Sequence, residues 1–281
     1  MTTAPTSFRL RLLAPDHWPA WIGLGLLWLL SRIPYRALMM LGGGLGWVFA
    51  RIPGSRRRIA RRNIERCFPQ LDANARERLL EDNLRDAGRM LAEFALAWLG
   101  SKRAIARVPV HIEGLEHVAA AVAAGRGVLL TGAHFSHLEL AGRLLVERGG
   151  VPLAGMYREH GDAAFEWAIR RARLRYATAM FTKYEIRACV RHMRDGGKLW
   201  YAPDQDMRGK DNVFVPFFGI PASTLTATHH LARLSGACVI PFFHRRLAGG
   251  GYELRLEPAL ENFPSADIEN EINAFFDLMV Q

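Results

Sequence analysis

The 281-residue sequence predicts an α/β fold with a single main domain, in which a central sheet, mainly parallel or mixed, is layered by helices. Half of the residues are hydrophobic, so a large core can form. After about residue 100, short apolar runs alternate with stretches of helical periodicity, which is typical of a sheet covered by helices and not of a bundle or a sandwich. A long apolar segment precedes this region and predicts an additional N-terminal membrane-anchoring helix.

The N-terminal segment, residues 1–52, is predicted to be the membrane anchor. Residues 18–30 (WPAWIGLGLLWLL) carry no charge, and apolar sequence resumes after Arg32. The first run is shorter than the roughly 20 residues of an ideal spanning helix, but it contains three tryptophans, and no signal-peptide cleavage site follows it. The anchor is either a short span or a helix lying in the interface. A buried amphipathic hairpin of the globular domain is the alternative.

An arginine-rich stretch follows the apolar segment directly. Residues 51–66 (RIPGSRRRIARRNIER) contain seven arginines and one glutamate. Basic residues near an anionic leaflet each contribute about 1 kcal/mol to membrane binding, and an apolar anchor with a basic patch makes a two-signal attachment. The positive-inside rule predicts the cytoplasmic side for the rest of the chain. The whole chain has a net charge of +10, but no nucleic-acid recognition motif accompanies it, so nucleic acid is not a predicted partner.

Residues 53–281 are predicted to form the main domain. A helix over 71–100 has Asp72 as its N-cap and ends at Gly100. Strands are predicted over 108–112, 127–131, 151–157, 198–202, 212–218, 237–243 and 252–257. Further helices are predicted over 115–124, 137–149, 162–175, 183–195 and 223–235, the last of them beginning at Ser223 and Thr224.

The stretch TGAHFSHLEL, residues 131–140, concentrates titratable side chains after a predicted strand. In open α/β sheets, ligands gather beyond the carboxyl ends of the strands, and His134 falls there. On one continuous helix, His134 and Glu139 would be about 140° apart and could not meet. They can converge if His134 stays in the turn and Glu139 lies in the first helical turn. The pair would then act as a general base and its orienting carboxylate.

Two other interpretations of this stretch remain open from spacing alone. Ser136 and Glu139 match a capping box, and because glutamine also serves at that position, this alternative predicts that Glu139→Gln leaves folding nearly intact. His134, His137 and Glu139 are possible zinc ligands, but no nearby His/Cys set completes a site, so no metal is predicted. The three cysteines form neither a metal-ligand spacing nor a disulfide framework.

The His134-x4-Glu139 motif resembles the His-x4-Asp/Glu signature of the glycerolipid acyltransferase superfamily. The surrounding chain is similar to the late acyltransferases of lipid A biosynthesis, the lauroyl and myristoyl transferases of Gram-negative bacteria. The matching stretches span most of the chain in the order of that family. They are RRNIERCFP (61–69), GAHFSHLEL (132–140), MYREH (156–160), RARLR (171–175), LWYAPDQD (199–206), VFVPFFGIPASTLTAT (213–228) and LARLSGACVIPFF (231–243).

The resemblance implies a glycerolipid-acyltransferase-like fold and an O-acyltransferase at the cytoplasmic side of the bacterial inner membrane. Such an enzyme moves laurate or myristate from acyl carrier protein to a hydroxyl of a Kdo-lipid IVA-type precursor. The implied partners are acyl carrier protein, the lipid A precursor and inner-membrane lipids. No cofactor is implied, because the thioester of the carrier protein is already activated. The acyl length and the acceptor hydroxyl stay open.

The resemblance also implies catalytic roles. His134 would be the general base and Glu139 the carboxylate that holds it. Arg173 in RARLR would stabilise the thioester oxyanion or bind a substrate phosphate, although it could be one arginine on a solvated helix. Asp204 in YAPDQD would be a further functional carboxylate, preferred to Asp206, although an aspartate there could simply start a turn.

Substrate-binding roles follow by the same resemblance. Arg158 in MYREH would contact a phosphate. Phe217, Phe218 and Gly219 would border the acyl chain, with ordinary core packing as the alternative. Two other functions remain as alternatives: acylation of another glycolipid from acyl-CoA, and a non-catalytic membrane protein that binds lipid. The intact His134/Glu139 pair argues against the second.

Overall fold

The computed structural model describes residues 8–205 and 212–280. The helices are α1 (Trp18–Leu30), α2 (Tyr35–Arg51), α3 (Ser55–Cys67), α4 (Ala73–Leu99), α5 (Lys102–Ala106), α6 (Leu115–Ala123), α7 (Leu138–Gly149), α8 (Ala163–Arg173), α9 (Ile186–Arg194), α10 (Ala227–Ser235) and α11 (Ile268–Val280). The strands are β1 (Val110–Glu113), β2 (Val128–Thr131), β3 (Ala154–Tyr157), β4 (Met180–Thr182), β5 (Lys198–Tyr201), β6 (Asn212–Phe217), β7 (Ile220–Leu225), β8 (Cys238–Arg246) and β9 (Tyr252–Leu256).

Seven of these strands form one sheet in the order β1-β9-β8-β2-β5-β3-β4. Strands β8, β2, β5, β3 and β4 run parallel, whereas β9 runs antiparallel to β8 and β1 follows the direction of β9. The predicted α/β class with a mainly parallel or mixed sheet is therefore confirmed. Because β1 and β9 are reversed, the start of β1 lies at the same edge of the sheet as the ends of β2, β5 and β8.

Helices cover both faces of this sheet. On one face, Leu130 packs in a core with residues of α4, α7 and α8, and on the other, Leu129 packs with Cys189 of α9 and Leu231 of α10. Neighbouring residues of a strand point to opposite faces, so a strand covered on both sides is apolar at nearly every position, and in β2 the exception is Thr131 at its end. This explains why β2 reads as a continuous apolar run.

Helices α1 and α2 both pack against α4, and α1 also contacts α8. Leu24 and Leu38 are buried in the main core. A Cβ added at Gly88 of α4 would lie 2.3 Å from the backbone nitrogen of Gly46 in α2, and one at Gly42 would lie 2.9 Å from the Cα of Arg89. Small residues let helix backbones approach this closely, so the glycine-rich run of α2 is explained by its crossing with α4.

The outer sides of α1 and α2 are apolar and exposed. Trp18, Ile22 and Leu26 form one such stripe on α1, and Met40 and Leu41 are exposed on α2. Across the residues that the structure describes, every helix falls short of the length and apolarity needed to cross a bilayer. The N-terminal membrane anchor is thus unconfirmed, and the boundary at residue 52 between anchor and main domain stays a prediction.

One predicted helix begins later than expected, and the reason is a hairpin. Phe218 and Gly219 have φ values of 51° and 73°, and two consecutive residues of positive φ form the tight turn that joins two antiparallel strands. Ser223 and Thr224, predicted as a helix start, therefore lie in β7, paired with β6. Helix α10 begins only at Ala227.

Candidate active site

His134 and Asp204 follow two adjacent parallel strands, β2 and β5, and meet at the sheet edge. The Nδ1 atom of His134 lies 2.6 Å from Oδ1 of Asp204, and the backbone N–H of His134 donates to Oδ2 at 2.9 Å. One carboxylate thus fixes both the ring and the turn that carries it. With Nδ1–H donating to Asp204, Nε2 of the neutral ring is the unprotonated nitrogen that can accept a proton.

The environment keeps Asp204 ionised. Burial raises the pKa of this carboxyl, but the hydrogen bonds from the ring and the backbone of His134 outweigh it, and the pKa lies below its usual value. An ionised carboxylate beside Nδ1 stabilises the imidazolium that forms when Nε2 takes a proton. The geometry is that of a general base, His134, with an orienting carboxylate, Asp204.

Glu139 does not hold His134, which corrects the arrangement expected from the motif. Trp98 Nε1 donates to Oε2 of Glu139 at 2.8 Å, Arg173 Nε donates to the same oxygen at 3.1 Å, and Arg173 Nη2 donates to Oε1. His134 does stay in the turn and Glu139 does lie in the first turn of α7, but this placement alone does not bring the two side chains together. The Glu139 carboxylate binds Trp98 of α4 and Arg173 of α8, and the His134 ring binds Asp204.

The capping-box alternative is also wrong. The N-cap of α7 is His137, which makes no side-chain capping bond, and the Glu139 carboxylate is occupied by Trp98 and Arg173. Ser136 Oγ instead accepts a hydrogen bond from Arg246 Nη2 at 2.8 Å. Within residues 8–205 and 212–280, no group of three or more His, Cys, Asp or Glu side chains is placed to hold a metal ion.

Arg173 is a fixed cation and not a solvated surface residue. Its side chain is 11% exposed, and its guanidinium lies over the rings of Tyr157, at 5.4 Å, and Trp98, at 5.8 Å. Burial lowers the pKa of Arg173, but the charge and hydrogen bonds of Glu139 outweigh it, so the pKa is raised and the group stays charged. The structure therefore brings Arg173 together with Glu139, next to the His134 turn.

An apolar cavity of about 90 Å³ adjoins this ion pair. Glu139 and Arg173 line it together with Gly142 of α7, Met180 of β4 and Trp200 of β5. The ring of Trp200 also stands edge-on to the ring of His134, with the centroids 5.9 Å apart. Trp200 therefore lies between the apolar cavity and the imidazole of His134.

The remaining residues expected in the site lie elsewhere. Phe217 packs on Phe276 of α11, and Phe218 packs on Phe68, at centroid distances of 5.3 and 5.1 Å. Phe217, Phe218 and Gly219 do not line the apolar cavity, and their role at an acyl chain stays a prediction.

Two further expectations from the sequence concern Arg158 and Asp206. Arg158 is exposed just after β3, at the end of the sheet where His134 and Asp204 lie, and its contact with a phosphate also stays a prediction. Asp206 lies outside the described residues.

Arg246, at the end of β8, was not predicted as a site residue. It connects the turn that carries His134 to α4. It donates to both carboxylate oxygens of Glu93, at 2.6 and 2.8 Å, and Nη1 lies 2.9 Å from Asp86. Tyr252 also donates to Glu93, at 2.6 Å. The signal in the sequence was Glu93 itself, because a lone charge in the apolar half of α4 requires a buried partner.

The fold and the site together define an α/β acyltransferase that carries the His-x4-Glu motif at the carboxyl edge of its sheet. Residues 6–280 match the family described as bacterial lipid A biosynthesis acyltransferase. The chain belongs to this family.

Curated relatives are similar over nearly the whole chain. The lipid A biosynthesis lauroyltransferase of Escherichia coli K12 is 37% identical over 272 residues, 96% of this chain and 87% of the relative. The palmitoleoyltransferase of the same organism is 35% identical over 278 residues, 98% of this chain and 89% of the relative. Its myristoyltransferase is 26% identical over 231 residues, 82% of this chain and 71% of the relative. These relatives differ in the acyl group that their names specify.

Proposed function

We propose that the chain transfers a fatty acyl group from the thioester of acyl carrier protein to a hydroxyl of a lipid A precursor. Membership of the family supports the reaction class. The observation that carries the proposal is the imidazole of His134, fixed by Asp204 and separated by Trp200 from an apolar cavity that suits an alkyl chain. The acceptor is a Kdo-lipid IVA-type precursor, and the acyl group is of the laurate or myristate class.

The chemistry starts with the acceptor hydroxyl, whose pKa is far too high for ionisation at pH 7. Nε2 of His134 takes the proton as the oxygen attacks the thioester carbonyl, and the Asp204 carboxylate stabilises the imidazolium. The tetrahedral intermediate then expels the carrier thiolate, which receives the proton from the imidazolium. No enzyme nucleophile is required, because the thioester is already activated.

Arg173 is the proposed cation for the developing oxyanion. It lines the apolar cavity, it is held by two hydrogen bonds to Glu139, and it stays charged. A donor fixed in advance in a site with little water stabilises negative charge without reorganisation. Glu139 then has the role of holding Arg173, which differs from the role of holding His134 that the motif suggests.

We also infer that the protein attaches to the cytoplasmic face of the inner membrane through the outer sides of α1 and α2. Exposed tryptophans there carry guanidinium groups on their rings: Arg32 lies 4.5 Å above Trp28, and Arg51 lies 3.5 Å above Trp47. Aromatic and basic groups of this kind suit the boundary between head groups and acyl chains. Ile22→Glu, in the exposed stripe of α1, is expected to reduce flotation with anionic vesicles.

The proposed reaction is tested with purified protein, acylated carrier protein and labelled lipid A precursor. We expect an ester product whose mass names the acyl group, and its loss in His134→Ala. A product formed only from acyl-CoA would show that acyl-CoA, and not acylated carrier protein, is the donor. Binding of the precursor without any product from either donor would overturn the proposal in favour of a lipid-binding protein.

A further inference from the structure

A groove lined by arginines starts at His134 and follows α4 toward the turn between α1 and α2. Its first part is lined by His134, Phe135 and Arg246. Its second part, a cavity of about 1140 Å³, shares Asp86 and Arg246 with the first. We call this surface the basic groove, and its arginines are Arg32, Arg36, Arg85, Arg89, Arg103, Arg107, Arg245 and Arg246.

The third part of the basic groove, of about 510 Å³, adjoins the second. The two share Tyr35, Arg36 and Pro109. Pro109 precedes β1, and the reversed direction of β1 brings this end of the strand to the end of the sheet where His134 lies. Shared lining residues therefore connect the three parts, from the candidate base to the arginines at the turn between α1 and α2.

The basic groove has a large excess of positive charge. Among the described residues that line it, Asp86 is the one acidic side chain, and it already pairs with Arg89, at 2.8 Å, and Arg246, at 2.9 Å. Asp82, Glu93 and Glu253, which lie beside the groove, pair with Arg85, Arg246 and Arg245. The remaining guanidinium groups repel one another and create a positive local potential. A multiply charged anion would relieve this repulsion.

Three arginines at the far end carry most of this excess. Arg36, Arg103 and Arg107 are exposed, and no carboxylate of the described chain lies within salt-bridge distance of them. Arginine binds phosphate with two parallel hydrogen bonds, which makes such a set suited to a phosphate group.

The width of the basic groove indicates a ligand larger than one phosphate ion. A Cβ added at Gly44, Gly249 or Gly250 would meet no atom within 4 Å, so these glycines border open space. The second part alone exceeds the roughly 300–1,000 Å³ of a typical small-molecule site. A polar head group of several sugar rings fits this space better than a single inorganic anion does.

We propose that the basic groove binds the phosphate-bearing saccharide head group of the acceptor, with one phosphate held by Arg36, Arg103 and Arg107. The head group then lies on one side of His134, and the apolar cavity behind Trp200 lies on the other. This inference rests on the proposed function, and it adds the site of the acceptor and the chemistry that recognises it.

The test compares two triple variants that remove equal charge. Arg36→Gln/Arg103→Gln/Arg107→Gln changes the basic groove. The control Arg187→Gln/Arg191→Gln/Arg233→Gln changes exposed arginines of α9 and α10, on the opposite face of the sheet. Calorimetry measures binding of a lipid-free glucosamine disaccharide bisphosphate, and steady-state kinetics measure the acceptor KM in neutral detergent micelles.

In the groove variant, we expect the saccharide Kd and the acceptor KM to rise at least about tenfold, because each lost charged hydrogen bond is a substantial part of the affinity. The KM of the acyl donor is expected to stay constant, and the control is expected to remain within about twofold of the unmodified protein. Should the triple variant unfold, the three single substitutions give the same comparison.

The outcomes separate this inference from the proposed function. Unchanged saccharide binding and acceptor KM, with acyl transfer intact, would overturn the basic groove as the acceptor site and leave the reaction standing. Weakened saccharide binding in the variant, with no transfer by the unmodified protein, would support the site and overturn the reaction. Loss of flotation on phosphatidylglycerol vesicles with saccharide binding retained would make the groove a bilayer contact and overturn the inference.

Discussion

At the scale of single residues, the carboxylate of Asp204 acts on His134 in two places. It binds Nδ1 of the ring and the backbone N–H of the same residue, so the tautomer and the position of the turn depend on one side chain. The motif within residues 134–139 contains no trace of this partner, because Asp204 arrives from a neighbouring strand 70 positions later. Spacing along a chain shows local neighbours only, whereas parallel strands bring distant residues together.

The Asp204–His134 bond leads to the first expectation. Asp204→Asn keeps the size of the side chain but loses the charge that stabilises the imidazolium, so kcat should fall by roughly 10²- to 10⁴-fold. Steady-state kinetics with saturating substrates measure this. The control is Glu113→Gln, which alters an exposed His–carboxylate pair at His111 and should leave kcat unchanged. A fall of less than threefold in Asp204→Asn would contradict the assigned base.

Glu139 gives a second expectation, opposite to that of a capping box. Glu139→Gln leaves the buried Arg173 without a counter-charge, which is expected to lower the free energy of unfolding by about 3 kcal/mol. Urea denaturation measures the change. Glu253→Gln, in a pair with the largely exposed Arg245, serves as control and should have little effect. Equal stability of the two variants would show that the Glu139–Arg173 pair is not buried as described.

Two buried histidines, His137 at the end of the His134 turn and His244 of β8, predict sensitivity to acid. Burial, with a smaller effect of Arg246, lowers the pKa of His137 from 6.5 to about 4, and burial lowers the pKa of His244 well below 6.5. Below pH 6.5 the unfolded chain binds protons that the folded chain does not, so stability is complete above this pH and decreases as the pH falls toward 4.

This loss can be measured as the free energy of unfolding at pH 7 and at pH 5. His137 alone should contribute about 2 kcal/mol to the decrease, since one pKa unit corresponds to about 1.4 kcal/mol. His137→Gln has no titrating ring and should show a decrease that is smaller by this amount. Parallel pH dependence in the variant and the unmodified protein would contradict the buried, neutral state of His137.

At the scale of elements, long helices and covered strands are predictable, and hairpins closed by residues of unusual φ are not. The N-cap of α4 is confirmed, because Asp72 accepts from the backbone of Ala75. In contrast, Phe218 adopts a positive φ that its residue type does not announce, so the hairpin that places Ser223 in β7 was missed. Strand β4 has three residues, too few for a periodic pattern.

The crossing of α2 and α4 gives an expectation at this scale. Gly88→Ala places a methyl group 2.3 Å from the backbone of Gly46, which forces the helices apart and should cost about 1–3 kcal/mol. Gly25→Ala is the matched control: its Cβ meets no atom within 4 Å, and alanine in a helix should stabilise slightly. Thermal unfolding of both variants measures the difference in stability. A Gly88→Ala protein as stable as Gly25→Ala would contradict the close crossing.

At the scale of the whole molecule, the candidate active site lies between the apolar cavity and the basic groove. Neither could be derived from the sequence, because each combines residues from distant elements: the cavity joins α7, β3, α8, β4 and β5. The predicted acyl-chain residues Phe217 and Phe218 were chosen for their apolar character, and both are half-buried: Phe217 packs on Phe276 of α11, and Phe218 packs on Phe68. Composition finds apolar residues, but only packing decides which of them face a vacant space.

The apolar cavity leads to an expectation for chain length. Gly142 lines it, and a side chain added there would enter open space. Gly142→Leu should therefore shift the preferred acyl donor to a shorter chain, with each excluded methylene worth about 1–3 kcal/mol in kcat/KM. Mass spectrometry of products from a mixture of acylated carrier proteins measures the shift. An unchanged product distribution would place the acyl chain outside this cavity.

Helix α4 sets one more property of the molecule. It is a single helix of 27 residues, roughly 40 Å long, that holds α1 and α2 at one side and supplies Glu93 and Trp98 to the site at the other. With the proposed attachment of the outer faces of α1 and α2 to lipid, the fold would fix the distance between Nε2 of His134 and the bilayer. The enzyme would then acylate only those hydroxyls that an acceptor presents at that depth in the leaflet.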